Sequence, residues 1–372
     1  MQAKCKMIFG IVEKLAPAGL AMEWDNCGLQ VGDPEAEVTG VLLALDADLD
    51  VCREAAEKNC QLIITHHPLF FKQLKQINLQ SPQGELVAAL IKNGIALYSA
   101  HTNLDSAGGG VNDCLAGLLG LERTSPLKAA GPEGLLKFVV FVPSGHEDRV
   151  REAVCRAGAG WIGNYSDCTF QTLGTGTFRP REGTNPFIGK QGDLEKVEEI
   201  RLETIVPERL APVVVEAALE AHPYEEVAYD LYPLKIKNTS AGLGRIGELK
   251  HPVTLGQMAA EVKKILGLTH VRAGGDAGGT IARVALCGGS GADLWPLARA
   301  AGADVLITGD VGYHPARDMV QSGFSFIDAG HYGTERVVLP ALKEFLEENC
   351  RLRELEVRVH ITGINGDPYV LY

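Results

Sequence analysis

Residues 41–70 read VLLALDADLDVCREAAEKNCQLIITHHPLF, and this stretch decides the fold. Two apolar runs of strand length, residues 41–45 and 62–65, lie on either side of a segment with helical spacing, residues 49–59. The pattern predicts a β-α-β unit. Because both strands are apolar on both faces, we expect a sheet that helices cover on both sides.

A second unit of the same kind follows the first. Its spacing predicts a helix over residues 85–92, a strand over 95–99 and a helix over 111–119. The tail repeats this plan in residues 283–315, RVALCGGSGADLWPLARAAGADVLITGDVGYHP, which again give a strand, a helix, an apolar strand that ends in Ile-Thr, and a polar loop. The fold class is therefore predicted to be α/β.

The ends of the two repeats share a spacing of polar residues. GIALYSAHTNLDSAGGG and GFSFIDAGHYGTERVV each give a strand, a junction of small residues, and then a histidine followed four residues later by a carboxylate. These pairs are His101 with Asp105, and His331 with Glu335. We infer an internal duplication in which two related α/β halves form one cleft. Chance similarity between short β-α-β units is the alternative.

Between the halves the pattern changes to β-α-β-β-α-β, the order of a ferredoxin-like split unit. The predicted strands cover residues 137–142, 198–205 and 227–234, with an edge strand inside 160–192, and the predicted helices cover 147–157 and 209–221. We expect an inserted α+β domain, residues 129–238, within a discontinuous domain of residues 1–128 and 239–372. Such an insertion joins at surface loops, where added length costs little.

The composition indicates a soluble globular protein, since 46% of the 372 residues are hydrophobic and 22% are charged. The net charge of −12, from 35 basic and 47 acidic residues, repels a polyphosphate backbone and disfavours nucleic acid as a partner. The nine cysteines include no C-x-x-C pair, which fits a reducing compartment. The first residues predict an amphipathic helix, without the apolar run of a signal peptide or membrane span. We expect a cytoplasmic protein.

The tripeptide His66-His67-Pro68 directly follows an apolar strand. Neighbouring residues on an extended chain point in different directions, so two adjacent histidines can each serve a different metal ion. Pro68 favours an extended conformation at His67. A surface histidine pair is the alternative.

Asp105, His331 and Glu335 also come just after predicted strands, where open α/β sheets bind their ligands. Each acidic residue has a simpler explanation. Glu335 would lie in the first turn of a predicted helix over residues 334–348 with Thr334 as N-cap, and Asp105 would be a turn residue. Imidazoles combined with carboxylates, without thiolates, favour a hydrolytic pair of divalent ions over a structural zinc.

Several motifs together resemble the family of GTP cyclohydrolase 1 type 2 homologues, also described as dinuclear metal-centre hexameric proteins. The motifs are WDNCGLQVG at 24–32, THHP at 65–68, HTNLD at 101–105, GGSG at 288–291 and GHYGTE at 330–335. They span nearly everything outside the insert. The insert resembles the PII/CutA-like domain of longer members, including the segment AHPYEE at 221–226.

This resemblance implies two divalent metal ions and an assembly of six subunits in a ring. The ligands that it implies are His66, His67, Asp105, His331 and Glu335. The sequence does not identify the metal, because such sites accept zinc, iron or manganese according to supply.

Two further histidines and one glycine loop are candidates for other roles. His101, which corresponds to His331 in the duplication, is predicted to be a ligand, a partner of a ligand or a proton carrier. His314 follows the strand equivalent to the one before His66, and either lies at the rim of the cleft or is structural. The loop 288–291 either presents backbone N–H groups to an anion or allows close packing.

These features predict a metal-dependent hydrolase that acts on a nucleotide or a related phosphorylated heterocycle. The family resemblance suggests GTP ring opening, with His101 or His314 moving protons. Two divalent ions bring a charge of +4 against −2 from Asp105 and Glu335, which favours an anionic substrate. Two alternatives stay open: a phosphoesterase with two metal ions, and a non-enzymatic metal-binding scaffold or sensor.

Overall fold

The computed structural model describes residues 2–72, 75–129, 134–162, 165–235 and 241–370. The chain divides into a larger unit, Met1–Ala130 with Thr239–Tyr372, and a smaller unit, Gly131–Asn238. The first division falls two residues after the predicted one, because strand β5 (Glu122–Ala129) continues to Ala129, where it pairs with a later strand. The predicted junction at residue 238 lies outside the described residues.

The first sheet of the larger unit contains the stretch quoted above. Its strands, in spatial order, are β1 (Gly28–Val31), β4 (Ala96–Ser99), β3 (Leu62–Thr65), β2 (Gly40–Ala44) and β15 (Arg358–Ile361). β1 is antiparallel to β4, and the other neighbours are parallel. Every residue of β2, β3 and β4 is buried, which confirms that helices cover both faces of this sheet.

Short helices connect and cover these strands. They are α1 (Cys5–Leu15), α2 (Leu49–Glu57), α3 (Pro82–Lys92), α4 (Thr102–Ser106) and α5 (Val111–Leu118). Asp48 caps α2 by accepting from the backbone N–H of Val51, and Ser81 caps α3 in the same way. The amphipathic α1 buries Ile8, Ile11 and Val12.

The second sheet of the larger unit has six strands. In spatial order they are β11 (Arg272–Gly274), β14 (Ser325–Asp328), β13 (Val305–Gly309), β12 (Thr280–Ser290), β10 (Gly242–Thr254) and β5. The helices that follow its strands in the chain are α8 (Leu255–Ile265), α9 (Trp295–Ala300), α10 (Tyr313–Gln321), α11 (His331–Glu335) and α12 (Val338–Leu352). The buried face of α12 packs in the core of the first sheet, whereas Leu115 and Ala116 of α5 pack in the core of the second. β14, β13 and β12 are parallel, and β11 is antiparallel to β14.

The two sheets share a strand order over four positions. In the first sheet, antiparallel β1 is followed by parallel β4, β3 and β2, and in the second, antiparallel β11 is followed by parallel β14, β13 and β12. β4 and β14 each lead into a five-residue helix, α4 and α11. The sheets differ at the next position, where β15 is parallel to β2 but β10 is antiparallel to β12. The shared order is the one that an internal duplication predicts.

The helix predicted over residues 334–348 is wrong at its start. Gly330 adopts a left-handed φ of 76°, and this turn lets α11 begin at His331, three residues earlier than predicted. Thr334 is therefore not an N-cap. It is fully buried inside α11, where its hydroxyl lies 2.9 Å from the Gly330 carbonyl and accepts from the N–H of Gly289. A separate helix, α12, then begins at Val338.

The smaller unit has its own sheet and its own core. Its elements are β6 (Leu135–Pro143), α6 (Glu147–Arg156), β7 (Thr169–Phe178), β8 (Glu195–Pro207), α7 (Ala211–Ala221) and β9 (Tyr229–Leu234). The antiparallel strand order β7-β8-β6-β9 is the ferredoxin-like order, which confirms the predicted α+β domain. Phe138 and Val140 of β6 pack against Val150 and Val214 of the helices. The expected likeness to PII/CutA-like domains stays a prediction.

No helix in the described part of the chain is long and apolar enough to cross a membrane.

One buried ion pair joins the two halves of the larger unit. Arg245 of β10 is 2% exposed, and its guanidinium donates to both carboxylate oxygens of Asp113 in α5, over 2.5 and 2.9 Å. Its remaining N–H groups donate to the carbonyls of Ala107, Gly242 and Gly244. The bonds to Asp113 and Ala107 thus hold α5 and the residue that follows α4 against β10, and the bonds to Gly242 and Gly244 fix the guanidinium on its own strand.

Replacing Arg245 should destabilise the larger unit. Arg245→Met removes the guanidinium from Asp113 and from three carbonyl groups, although the Gly109 N–H still donates to Asp113, and we expect a loss of about 3 kcal/mol in the free energy of unfolding. The measurement is urea denaturation followed by circular dichroism.

The matched control is Arg123→Met. Arg123 pairs with Glu248 at the surface, where the two side chains are 76% and 39% exposed. Such a pair contributes less than about 1 kcal/mol. Equal losses in the two variants would contradict a special role for Arg245.

Candidate metal centre

Six titratable side chains meet at one edge of the larger unit. His66 and His67 directly follow β3, His101 follows β4, Asp105 lies in α4, and His331 and Glu335 lie in α11. The carboxyl ends of β3, β4 and β14 deliver all of them, as expected for the ligand-binding edge of parallel strands. The structure thus brings together the five predicted metal ligands and His101.

Glu335 lies at the centre of this group. One carboxylate oxygen, Oε2, is 3.0 Å from Nε2 of His67, and the other, Oε1, is 3.1 Å from Nε2 of His331 and 3.7 Å from Nε2 of His66. Asp105 approaches from the other side, with Oδ1 at 3.5 Å from Nε2 of His66. Both carboxylates are buried. Glu335 therefore faces three imidazoles at once.

Three buried polar atoms in the group have no hydrogen-bond partner among the described residues. They are Nε2 of His66, Oδ1 of Asp105 and Oε2 of Glu335. An unpaired buried polar atom costs roughly 1–3 kcal/mol, and more when it is charged. Nε2 of His67 also lies 3.2 Å from Nε2 of His331, so a proton or a cation must separate the two lone pairs. These residues fit a metal ion, which would satisfy all of these atoms together.

The side chains form three overlapping groups that can hold a metal ion. The groups are His66 with His67 and His101; His67 with His331 and Glu335; and His66 with Asp105 and Glu335. Within each group the ligand atoms lie within 4.8 Å of one another. Nitrogen and carboxylate donors of this kind suit zinc, iron or manganese.

Three aspartates orient three of the histidines, and the sequence-based interpretation missed them. Nδ1 of His67 lies 2.9 Å from Asp46, Nδ1 of His101 lies 2.9 Å from Asp25, and Nδ1 of His331 lies 2.7 Å from Asp310. When each Nδ1 donates to a carboxylate, Nε2 presents its lone pair to the cluster. Asp46 and Asp310 follow the ends of β2 and β13, which is the signal that would have identified them.

His66, the remaining histidine, and Asp25, the most buried of the three orienting aspartates, are also held in place. Nδ1 of His66 lies 2.9 Å from the Ala100 carbonyl, so its Nε2 also faces the cluster. Burial opposes ionisation of Asp25, but hydrogen bonds from His101, Thr102 and Cys27 outweigh it and hold the pKa of Asp25 well below its usual value. Asp25 is therefore an ionised carboxylate that accepts a hydrogen bond from Nδ1–H of His101.

The carboxylates give this site a strong preference for positive charge. Burial lowers the pKa of His67, but the Asp46 carboxylate at its Nδ1 and the Glu335 carboxylate close to its Nε2 outweigh burial and raise it to about 10. The hydrogen bond to Glu335 is the largest cause that raises the pKa of His331 to about 9. Burial likewise disfavours the Glu335 carboxylate, yet the charge of His66 and the neighbouring histidine hydrogen bonds hold its pKa well below the usual value.

The glycine loop makes room for Glu335 and does not bind an anion. The N–H groups of Gly288, Gly289 and Gly291 already donate to the side chains of Asn112, Thr334 and Thr308, respectively. The expectation that they face an anion is therefore wrong.

Packing explains the glycine pair at 288 and 289. Gly289 has a left-handed φ of 64°, and a Cβ atom there would lie 2.1 Å from Oε1 of Glu335 and 3.2 Å from Nε2 of His331. A Cβ atom at Gly288 would lie 2.7 Å from the side chain of Val111.

His101 and His314, the two predicted proton carriers, occupy different places. His101 lines a cavity of about 620 Å³ together with His67, His331 and Glu335. His314 is exposed in the first turn of α10, and its described contact is with the ring of Tyr313, at 5.3 Å between ring centroids. The structure does not bring His314 together with the cluster among the described residues.

Metal binding should weaken as the pH falls. Metal ions bind neutral imidazole, so an ion must displace the protons of His67 and His331, whose pKa values are raised to about 10 and about 9. Burial lowers the pKa of His66, but Asp105 and Glu335 outweigh burial and raise it as well. Below about pH 9 the dissociation constant should therefore rise by ~100-fold or more for each unit of acidification. Chelator competition between about pH 6 and 8 measures this slope.

The variant His331→Asn supplies the control for this slope. One proton fewer is then displaced, and the dependence should become about tenfold weaker per pH unit. A dissociation constant that does not change with pH in the unmodified protein would contradict the assignment.

Adding a methyl group at Gly289 should disturb the cluster without unfolding the chain. Gly289→Ala displaces the Glu335 carboxylate, and we expect metal affinity to fall about tenfold or more. Metal content after dialysis is the readout, with circular dichroism to verify the fold.

Gly302→Ala is the matched control because Gly302 also has a left-handed φ, 79°, but no described heavy atom within 4 Å of the added Cβ. It carries the same backbone strain without the collision. Equal loss of metal in both variants would show that strain, not contact with Glu335, is the cause.

Comparison with known proteins identifies the family. The model of the DUF34/NIF3 family (NGG1p interacting factor 3) matches residues 3–368. The chain is 44% identical over 367 residues to the GTP cyclohydrolase 1 type 2 homolog of Halalkalibacterium halodurans, covering 99% of this chain and 98% of that protein. It is 41% identical over 364 residues to the protein of the same name from Bacillus subtilis, covering 98% and 97%.

A solved structure agrees with these relatives. The crystal structure of a Bacillus cereus protein related to NIF3 is 43% identical in sequence, with a TM-score of 0.92 over 100% of both chains. The chain therefore belongs to the DUF34/NIF3 family, together with the GTP cyclohydrolase 1 type 2 homologs.

Proposed function

We propose that this protein is a hydrolase that uses two divalent metal ions and acts on a nucleotide. The observation that carries this proposal is the position of Glu335, whose two buried oxygens face His66, His67 and His331 from one carboxylate. A carboxylate placed in this way can bridge two ions. The unpaired buried atoms of His66 and Asp105 support the same assignment.

The grouping of the ligands supports two ions in place of one. Glu335 belongs to both carboxylate-containing groups, with His66 and Asp105 on one side and with His67 and His331 on the other. Each group supplies three donors, which leaves coordination positions for substrate and water, as in catalytic sites. Ions held by these residues would supply Lewis acidity and would lower the pKa of a water molecule from ~15.7 to about 7.

His101 is the residue that we propose to move protons. It lines the cavity, and Asp25 fixes its ring through Nδ1, which leaves Nε2 as the ring atom that faces His66 and His67. His314 is not included, because the structure leaves it exposed and outside the cavity lining among the described residues. In this scheme, when His101 takes up a proton, the Asp25 carboxylate stabilises the positive charge on its ring.

The charge of the site is more balanced than the sequence indicated. The count of −2 from Asp105 and Glu335 omitted Asp25, Asp46 and Asp310, which lie directly behind three histidines. Asp46 and Asp310 are 53% and 43% exposed, so water screens them. These three carboxylates reduce the excess positive charge, and substrate affinity must depend on further contacts.

The nucleotide assignment rests on two supports. Relatives at 44% and 41% identity carry the name GTP cyclohydrolase 1 type 2 homolog. The cavity beside the cluster, about 620 Å³, lies in the range of roughly 300–1,000 Å³ that holds small-molecule ligands. We also propose, from the resemblance alone, that six subunits assemble, which light scattering would measure.

Glu335→Gln should abolish metal-dependent hydrolysis. Glutamine keeps the shape of the side chain but removes the charge that holds the two ions, and we expect the rate to fall at least ~100-fold. Purified protein is assayed with each metal in turn against GTP, other nucleotides and phosphodiesters. Absorbance follows ring opening, and phosphate release is measured separately.

Glu348→Gln is the control for this change, because Glu348 is an exposed glutamate of α12. It should keep the full rate. Phosphate or alcohol release without ring opening would assign a phosphoesterase instead. No turnover above a metal-free control, or a full rate in Glu335→Gln, would overturn the hydrolase and favour a metal-binding scaffold.

A further inference from the structure

Two large aromatic side chains face the cavity without being buried. Trp24 is 60% exposed and Phe71 is 53% exposed, and both line the cavity that contains His101 and Glu335. Neither can ligate a metal ion. Single exposed apolar residues are common on protein surfaces, but exposed aromatic rings that are grouped in one concave site mark a binding surface.

Both rings are packed against the same metal-site histidine. The Trp24 ring lies 6.0 Å from the His101 ring at an interplanar angle of 73°, and the Phe71 ring lies 5.7 Å from it at 84°. These edge-to-face contacts place both aromatic residues one ring away from the cluster. A molecule that touches them also reaches the proposed metal ions.

A small polar network ties together the two chain segments that carry the rings. Nδ2 of Asn26 donates to the Phe70 carbonyl over 2.7 Å, and the Phe70 N–H donates to Oε1 of Gln30 over 3.3 Å. Nε2 of Gln30 donates back to the Asn26 carbonyl over 2.8 Å. The segment with Trp24 and the segment with Phe71 are therefore fixed relative to each other before any ligand arrives.

The Trp24 segment is also anchored on its other side. Asp25 accepts from the N–H of Thr102 over 3.0 Å, and the N–H of Met22 donates to the Thr102 hydroxyl over 2.9 Å. Because the segments that carry the rings are already fixed, ligand binding costs little conformational entropy there, and more of the contact energy contributes to affinity.

We propose that Trp24 and Phe71 form the surface that binds the planar heteroaromatic ring of the substrate, with Asn26 and Gln30 as positioning residues. A flat ring offers a π face to both side chains, whereas a sugar or phosphate does not. This inference rests on the proposed function for its substrate class. It assigns a role to the motif at 24–32, which supplies no proposed metal ligand.

The test measures the binding of two fragments to the metal-loaded protein by calorimetry. Guanosine carries the ring without phosphate, and ribose 5-phosphate carries phosphate without the ring. Trp24→Leu and Phe71→Leu should each weaken guanosine binding about tenfold or more, while the binding of ribose 5-phosphate and the metal content stay unchanged. Asn26→Ala should show the same selectivity with a smaller loss.

Matched controls come from the smaller unit, where Trp161 is 57% exposed and Phe187 is 55% exposed. Trp161→Leu and Phe187→Leu should leave both fragments unaffected. Three results would overturn the proposal: no guanosine binding by the unmodified protein, unchanged guanosine binding in the Trp24 and Phe71 variants, or equal losses for guanosine and ribose 5-phosphate. Ring binding without any hydrolysis would defeat the proposed hydrolase but support this surface.

Discussion

The buried carboxylate of Glu335 sets the constraints that the surrounding residues satisfy. A buried carboxylate needs a compensating positive charge. Three imidazoles surround this one, and protons or a cation on their nitrogen atoms can supply that charge. It also needs space, which the two glycines at 288 and 289 give by having no side chains. Thr334, one residue earlier, is bound to Gly289 and so fixes the same contact from the α11 side. The Glu335 carboxylate, the two glycines and Thr334 therefore depend on one another, and a change in one of them alone would disturb the contacts of the others.

Much of the fold could be predicted because burial repeats at short, regular intervals. The β-α-β units and the ferredoxin-like order of the insert follow from apolar periodicity. The five proposed ligands are the set that the family resemblance implies, and their position at strand ends supports it. Asp46 and Asp310 also follow strand ends, but that position does not show which histidine each of them contacts, and Asp25 lies before β1. Each accepts from a histidine 21, 21 or 76 residues away, and a single sequence does not show which way a side chain turns.

The errors of prediction have local physical causes. The sequence predicts a helix start at Thr334 because threonine is a common N-cap residue. The left-handed backbone of Gly330 turns the chain earlier, so α11 begins at His331. The sequence leaves anion binding and close packing as alternatives for the glycine loop because free and occupied N–H groups look alike in a sequence, and here Asn112, Thr308 and Thr334 occupy them. His314 lies on the equivalent loop of the second half, but α10 carries it to the surface.

The contact between His67 and His331 joins residues 264 positions apart in the chain. During synthesis, therefore, the early pair His66-His67 leaves the ribosome long before its partners, and a nascent chain exposes only a weak, incomplete chelate. The high-affinity arrangement can form only after α11 has been made and both halves have folded together. If the cluster holds a metal ion, the choice of that ion would belong to the finished protein and to the ion supply that it meets, rather than to the ions present while it is being translated.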